Sequence, residues 1–205
     1  MNRSTRSLAS ATVQAKIFLA TFMSFTVARF SPNARGFVSE EDTHWTNLAS
    51  RVVRVALARK DFSYAALSDA LAALGIAESE RSLASRVSRG RIKLALLLQI
   101  LYVTRAKTPR LWGQAVIAEG TWEERAAAVI LAELTRHPTV TVSELAHRLV
   151  LLGADLTEKT LASHLSTGAL SLPAFLQCIV ALGSSSLDSY VDYEDLVLAV
   201  AIDRR

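Results

Sequence analysis

The sequence has little of what disulfide-stabilised, metal-binding or all-β proteins require. Its single cysteine, Cys178, excludes an intramolecular disulfide framework and a cysteine-rich metal site. Four prolines and eight isolated glycines in 205 residues are too few for the many tight turns of an all-β fold, and they form no glycine-rich phosphate loop. Because alanine and leucine are abundant, the composition favours an all-helical protein. One cysteine also suits a reducing compartment, so we expect a cytoplasmic protein.

The sequence also lacks a recognisable active site. Its four histidines have no metal-ligand spacing and no neighbouring acid in a zinc-type motif. Acids near the C terminus, Asp192, Glu194 and Asp195, are typical of a solvated helix face. We therefore expect no enzyme, no metal site and no cofactor.

Residues 1–43 differ from the remainder of the chain. A basic, serine-rich start leads into an apolar run over residues 17–28, which is too short to span a bilayer. The order of basic and then apolar residues is also that of a secretion signal. The other interpretations are a helix packed on the core and a start codon assigned too far upstream. We expect an N-terminal extension with a short apolar helix that lies on a neighbouring apolar surface and not in a membrane.

A tandem duplication accounts for most of the chain. When residues 67–99 are shifted by 78 positions onto residues 145–177, thirteen of the thirty-three gapless pairs are identical. Chance leucine matches cannot also align two pairs of glycines and a pair of glutamines. The first helix of each copy begins near a tryptophan, Trp45 or Trp122, and these two are 77 positions apart.

Each copy has the pattern of about five helices. The second helix of the first copy is capped by Ser63 and ended by Gly75, and the third is capped by Ser79 and closed by Gly90. Two short helices joined by a turn that begins at glycine are typical of a helix-turn-helix. We therefore predict an all-α fold of two tandem five-helix, helix-turn-helix-like domains, with limits at 44–118 and 119–205.

The two copies differ in charge. From residue 45 to residue 120, twelve lysines and arginines stand against five acids, a net charge of +7. From residue 121 to residue 205, six basic residues stand against eleven acids, a net charge of −5. The basic copy is suited to a polyanion and the acidic copy to another task.

The third helix of the first copy has a face suited to a DNA major groove. At 100° per residue, Glu80, Leu83, Ala84 and Val87 form the predicted core face, and arginine and serine residues lie opposite. Arginine recognises guanine edges or phosphates, and small hydroxyl residues allow close approach. The simpler interpretation is a solvated charged face, but five cations between residues 81 and 93 favour nucleic-acid binding. The candidate DNA-binding residues are Arg81, Ser82, Ser85, Arg86, Arg89, Arg91 and Lys93.

The matching helix of the second copy has the same shape but little charge. We expect it to serve dimerisation or a protein partner more than DNA. Its weaker candidate DNA-binding residues are Lys159, Thr160, Ser163, His164 and Thr167.

At these residues the chain resembles a known kind of domain. The segment Ser88-Arg89-Gly90 and the segment Phe175-Leu176-Gln177 resemble a small bacterial domain family of unknown function, whose copies carry Ser-Arg-Gly before a Phe-Leu-Gln helix. The second copy departs from that pattern at Thr167, where the arginine is lost. More distantly, both copies are similar to DNA-binding domains of phage-repressor type, which implies that the third helix enters the major groove.

The first functional hypothesis is a bacterial or phage transcriptional regulator that binds double-stranded DNA through its first copy. One third helix reads only a few base pairs, so we expect a homodimer with two first copies on a palindromic site, rather than one chain that uses both of its copies. The second copy then serves assembly or a protein partner. The alternatives are a non-enzymatic interaction or structural protein that keeps the fold without binding DNA, and a secreted or membrane-surface protein.

Overall fold

The computed structural model describes residues 44–154 and 156–203, and the regular secondary structure of this part of the chain is helical apart from one isolated β-bridge. The predicted helix within residues 1–43 lies outside the described residues. The helices of the first copy are α1 (His44–Ala58), α2 (Tyr64–Ala72), α3 (Glu80–Ser88), α4 (Leu94–Val103), a 3-10 turn (Arg110–Trp112) and α5 (Gly113–Ile117). Those of the second copy are α6 (Trp122–Thr135), α7 (Val142–Leu151), α8 (Glu158–Thr167), α9 (Leu172–Leu182) and α10 (Tyr193–Asp203). None of the helices described is long and apolar enough to cross a membrane.

The helices confirm the predicted duplication and the all-α fold. The first four helices of the second copy each begin 78 residues after their equivalents in the first. The predicted caps also form: the side chains of Ser63 and Ser79 accept hydrogen bonds from the backbone N–H groups of Ala66 and Ser82. Such caps satisfy donors that the first helical turn leaves without a partner.

The two copies meet through an exchange of backbone hydrogen bonds. Leu94 N donates to Leu170 O at 3.0 Å, and Leu172 N donates to Ile92 O at 2.7 Å. These bonds form an antiparallel bridge between Lys93 and Ser171, which are themselves 78 residues apart. Because each bond is the equivalent of the other with the copies interchanged, an approximate twofold axis passes between these two residues.

Helix packing follows the same axis. Helix α1 packs on α9 of the second copy, and its equivalent α6 packs on α4 of the first. The last helices are exchanged as well, since α5 packs on α6 and α10 packs on α1. The described residues therefore lie in one compact unit with a continuous apolar core, rather than in two separately packed domains. The predicted limits of the copies, 44–118 and 119–205, stay predictions.

The side chains at the centre of this core come from both copies. The rings of Trp112 and Phe175 are in edge-to-face contact with centroids 5.5 Å apart, and both side chains are fully buried. Trp112 Nε1 donates to Glu133 Oε1 at 2.6 Å, and the Ser184 hydroxyl donates to Glu133 Oε2 at 2.8 Å. The buried carboxylate thus has a partner for each oxygen, as burial of a polar group requires.

Two equivalent glycines allow the third helix to approach the first. Gly90 and Gly168 have φ angles of 64° and 65°, in the left-handed region. A Cβ atom at Gly90 would overlap the carbonyl oxygen of Thr46, and one at Gly168 would overlap that of Glu123. Gly75 also has a positive φ, of 77°, but no atom lies within 4 Å of its Cβ position.

We therefore expect Gly90→Ala to destabilise the protein much more than Gly75→Ala. An alanine at either position costs about 1–2 kcal/mol for the left-handed backbone. At position 90, overlap with the backbone of α1 adds about 1–3 kcal/mol. Urea unfolding followed by circular dichroism measures both losses. Equal losses from the two variants would show that the close approach to α1 contributes no stability.

Candidate nucleic-acid interface

Helix α3 is oriented by two apolar side chains. Leu83 and Val87 are fully buried against the core, as predicted from their spacing, and Ala84 is half-buried. The prediction was wrong for Glu80, which is exposed. Glu80 is the first residue of α3, where no neighbouring helix covers it and where a carboxylate is favoured by the helix dipole. The other residues of α3 are half-buried, except Arg81 and Ser88, which are exposed.

Four of the predicted cations are exposed in the first copy. Arg81 and Arg89 lie at the two ends of α3, and Arg91 and Lys93 lie in the short segment that follows. Ile92 between them is buried, and its N–H donates to the carbonyl two residues earlier at 3.0 Å, so the chain turns at Arg91. The backbone N–H of Arg91 donates to the carbonyl of Arg86 at 3.0 Å, which holds this segment against the end of α3.

Two of the predicted residues, Arg86 and Ser82, bond to the same carboxylate group. Arg86 forms an ion pair with Glu78, and the Ser82 hydroxyl donates to the other carboxylate oxygen of Glu78 at 3.0 Å. All three side chains are partly buried, as is Ser85. Sequence reasoning missed Glu78 because it precedes the cap of α3 and so lies outside the helical period. The exposed cationic surface is therefore formed by Arg81, Arg89, Arg91 and Lys93.

Beyond Glu80, the sequence around this cationic surface contains no acid for many residues. No aspartate or glutamate occurs from residue 81 to residue 118, whereas eight lysines and arginines do. Exposed cations on one side of a molecule attract a polyanion through their summed field.

The second copy presents the same face without the charge. Lys159, Thr160, Ser163 and Thr167 are exposed on α8, and His164 is half-buried. The hydroxyl of Thr167 donates to the carbonyl of Ser163 at 2.8 Å, and that of Thr160 is hydrogen-bonded to Thr157. Lys159 is the only lysine or arginine of α8. The two faces thus match in position but not in charge.

Other candidate sites are not assembled by the described residues. No group of three histidine, cysteine or acidic side chains that could hold a metal ion occurs within 44–154 and 156–203. Cys178 is buried in α9, as predicted, and its burial raises the pKa of the thiol to about 12. Such a thiol stays protonated at neutral pH and is a poor nucleophile.

Comparison with known proteins places this all-helical tandem-repeat chain in a family. The family described as Domain of unknown function (DUF6471) matches twice, over residues 45–109 and 122–187. The chain belongs to that family and contains two copies of its domain. The two matches contain α1 to α4 and α6 to α9, and therefore both third helices. Neither the curated proteins nor the solved structures include a match to this chain.

Because Cys178 is the only cysteine, its reactivity should report unfolding directly. We expect no reaction with Ellman's reagent at pH 8 in the native protein, because the buried thiol has a pKa of about 12. One thiol per chain should react once guanidinium chloride unfolds the protein. Stoichiometric labelling within minutes under native conditions would contradict the packing of α9.

Proposed function

We propose that this protein is a non-enzymatic, cytoplasmic DNA-binding regulator of transcription that contacts double-stranded DNA through its first copy. Helices α2 and α3 act as a helix-turn-helix, with α3 in the major groove. Arg81, Ser85 and Arg89 face the base edges, and Arg91 and Lys93 approach the phosphates. Arg86 and Ser82 support this surface through their bonds to Glu78.

The observation that carries this proposal is the set of four exposed cations at the two ends of α3 and in the segment after it. Arg81 and Arg89 are eight residues apart on a helix that rises about 1.5 Å per residue, so they span about 12 Å. The major groove is about 12 Å wide and admits a helix. Glu80 is the only acid of α3, so four exposed cations stand against one exposed acid from residue 80 to residue 93.

A second function, contact with a protein partner, is favoured by one difference between the copies. Val150 and Leu151, near the end of α7, are 56% and 43% exposed. Their equivalents at the end of α2 are Ala72 and Ala73. The first copy exposes Leu74 near this point, so the acidic copy has one more large exposed apolar side chain here, which suits a protein surface better than DNA.

A gel-shift titration on a selected duplex tests the DNA contact. We expect Arg81/Arg89→Ala to weaken binding by at least about tenfold, because losing one bidentate arginine–guanine contact costs about 1–3 kcal/mol. The matched control is Lys60/Arg110→Ala, which removes two exposed charges from other parts of the first copy. Lys159→Ala should have a much smaller effect than the arginine variant. Unchanged affinity of the arginine variant would remove the support for DNA binding.

The residues after α3 should contribute through charge and not through sequence. Neutralising Arg91 or Lys93 should weaken binding to all duplexes alike, because phosphate contacts carry no sequence information. Each variant should also reduce the slope of log K against log salt by about one unit. The measurement is fluorescence anisotropy between 50 and 200 mM salt, on the selected duplex and on an unrelated one. A loss confined to the selected duplex would contradict the assignment to phosphates.

A further inference from the structure

The third helices of the two copies occupy equivalent places around the twofold axis. The axis passes between Lys93 and Ser171, and both of these residues are exposed, so one end of the axis opens to solvent. Rotation about an axis leaves the height along it unchanged, so α3 and α8 lie at the same height. Each third helix ends a few residues before the bridge. Helix α3 ends five residues before Lys93, and α8 ends four residues before Ser171.

We infer that one chain acts as an internal dimer and binds a single quasi-palindromic DNA duplex across this axis. This inference rests on the proposed function, since it places α3 on one half-site and adds α8 on the other. A protein with twofold symmetry matches a site with twofold symmetry. The sequence predicts a homodimer because one recognition helix reads too few base pairs. Helix α8, the equivalent of α3, supplies another recognition helix within the same chain.

The reach of the chain permits this arrangement. Lys93 is five residues beyond the end of α3 at Ser88, and five residues span at most about 17 Å. Half of a nine-residue helix adds about 7 Å, so the centre of each third helix lies at most about 24 Å from the axis. The separation of the two helices is therefore at most about 48 Å, a range that includes the roughly 34 Å between successive major grooves of B-DNA.

The charge difference predicts that the two half-sites are bound unequally. Arg89 and Arg91 of the first copy correspond to Thr167 and Ala169 of the second. The first copy anchors the complex through these charges, and α8 rests on the other half-site with Lys159 as its only lysine or arginine. The natural site should then be conserved strongly in one half and weakly in the other.

Restoring the lost charges tests the inference. In Thr167→Arg/Ala169→Arg the second copy regains the Arg-Gly-Arg sequence of residues 89–91. The test duplex carries the half-site bound by α3 twice, as a perfect inverted repeat. This half-site is the one whose recognition is lost in Arg81/Arg89→Ala. We expect more than about tenfold tighter binding than wild type, with a salt slope steeper by about two units.

The matched control is Ser185→Arg/Asp188→Asn. It adds the same two charges at exposed positions beyond the other end of α9, about 16 Å from the bridge at 1.5 Å per residue. We expect less than a threefold gain from this control. Sedimentation of wild type with the selected duplex should give one chain per duplex.

The outcomes separate this inference from the proposed function. If wild type binds no duplex in a selection, both fail. If Arg81/Arg89→Ala abolishes binding but two chains occupy one duplex, DNA binding stands and the internal dimer is overturned. The internal dimer is also overturned if the affinity of Thr167→Arg/Ala169→Arg for the duplex rises no more than that of its control. Circular dichroism must show that the variant is folded.

Discussion

The architecture depends on the pair of backbone hydrogen bonds that the two copies exchange next to Lys93 and Ser171. In this bridge, Lys93 and Ser171 form the non-hydrogen-bonded pair, whose Cα atoms are only about 4.5 Å apart in antiparallel pairing. Helices α4 and α9 begin at the next residues, so the bridge fixes the starting points of the two most apolar helices. Helices α1 and α6 then cover the fourth helix of the opposite copy, in addition to the third and fourth helices of their own copy.

The same constraint explains why small residues occur where they do. The segment that joins the third helix to the bridge is short, so the third helix must end close to the start of the first helix. Gly90 and Gly168 make that approach possible, because a side chain there would meet the backbone of α1 or α6. The position of the candidate DNA-binding surface is thus set by backbone contacts in the interior and not by its own exposed side chains.

Much of the fold could be predicted because its signals are local. The repeat, the caps at Ser63 and Ser79 and the apolar spacing of Leu83 and Val87 all depend on residues within a few positions of one another. The exchange of helices could not be predicted. An apolar face on α1 is satisfied equally by its own copy or by the other one, and identical copies give identical patterns in both cases.

The candidate surface shows the same division between local and distant signals. Exposure of Arg81 and Arg89 follows from the helical period, and the structure confirms it. The pairing of Arg86 with Glu78 does not, because the acid lies before the helix cap and its partner is eight residues away. Exposure of Glu80 was missed because the period alone does not show where a neighbouring helix stops covering a face.

The exchanged packing has a further consequence for how the two halves can change. In a homodimer of single copies, any substitution would be present in both halves, and association would weaken on dilution. A peptide connection instead holds the halves at an effective concentration in the millimolar range for short linkers. Each half can then accept substitutions that the other does not share. The difference between Arg89 and Thr167 is one that a homodimer of single copies could not carry.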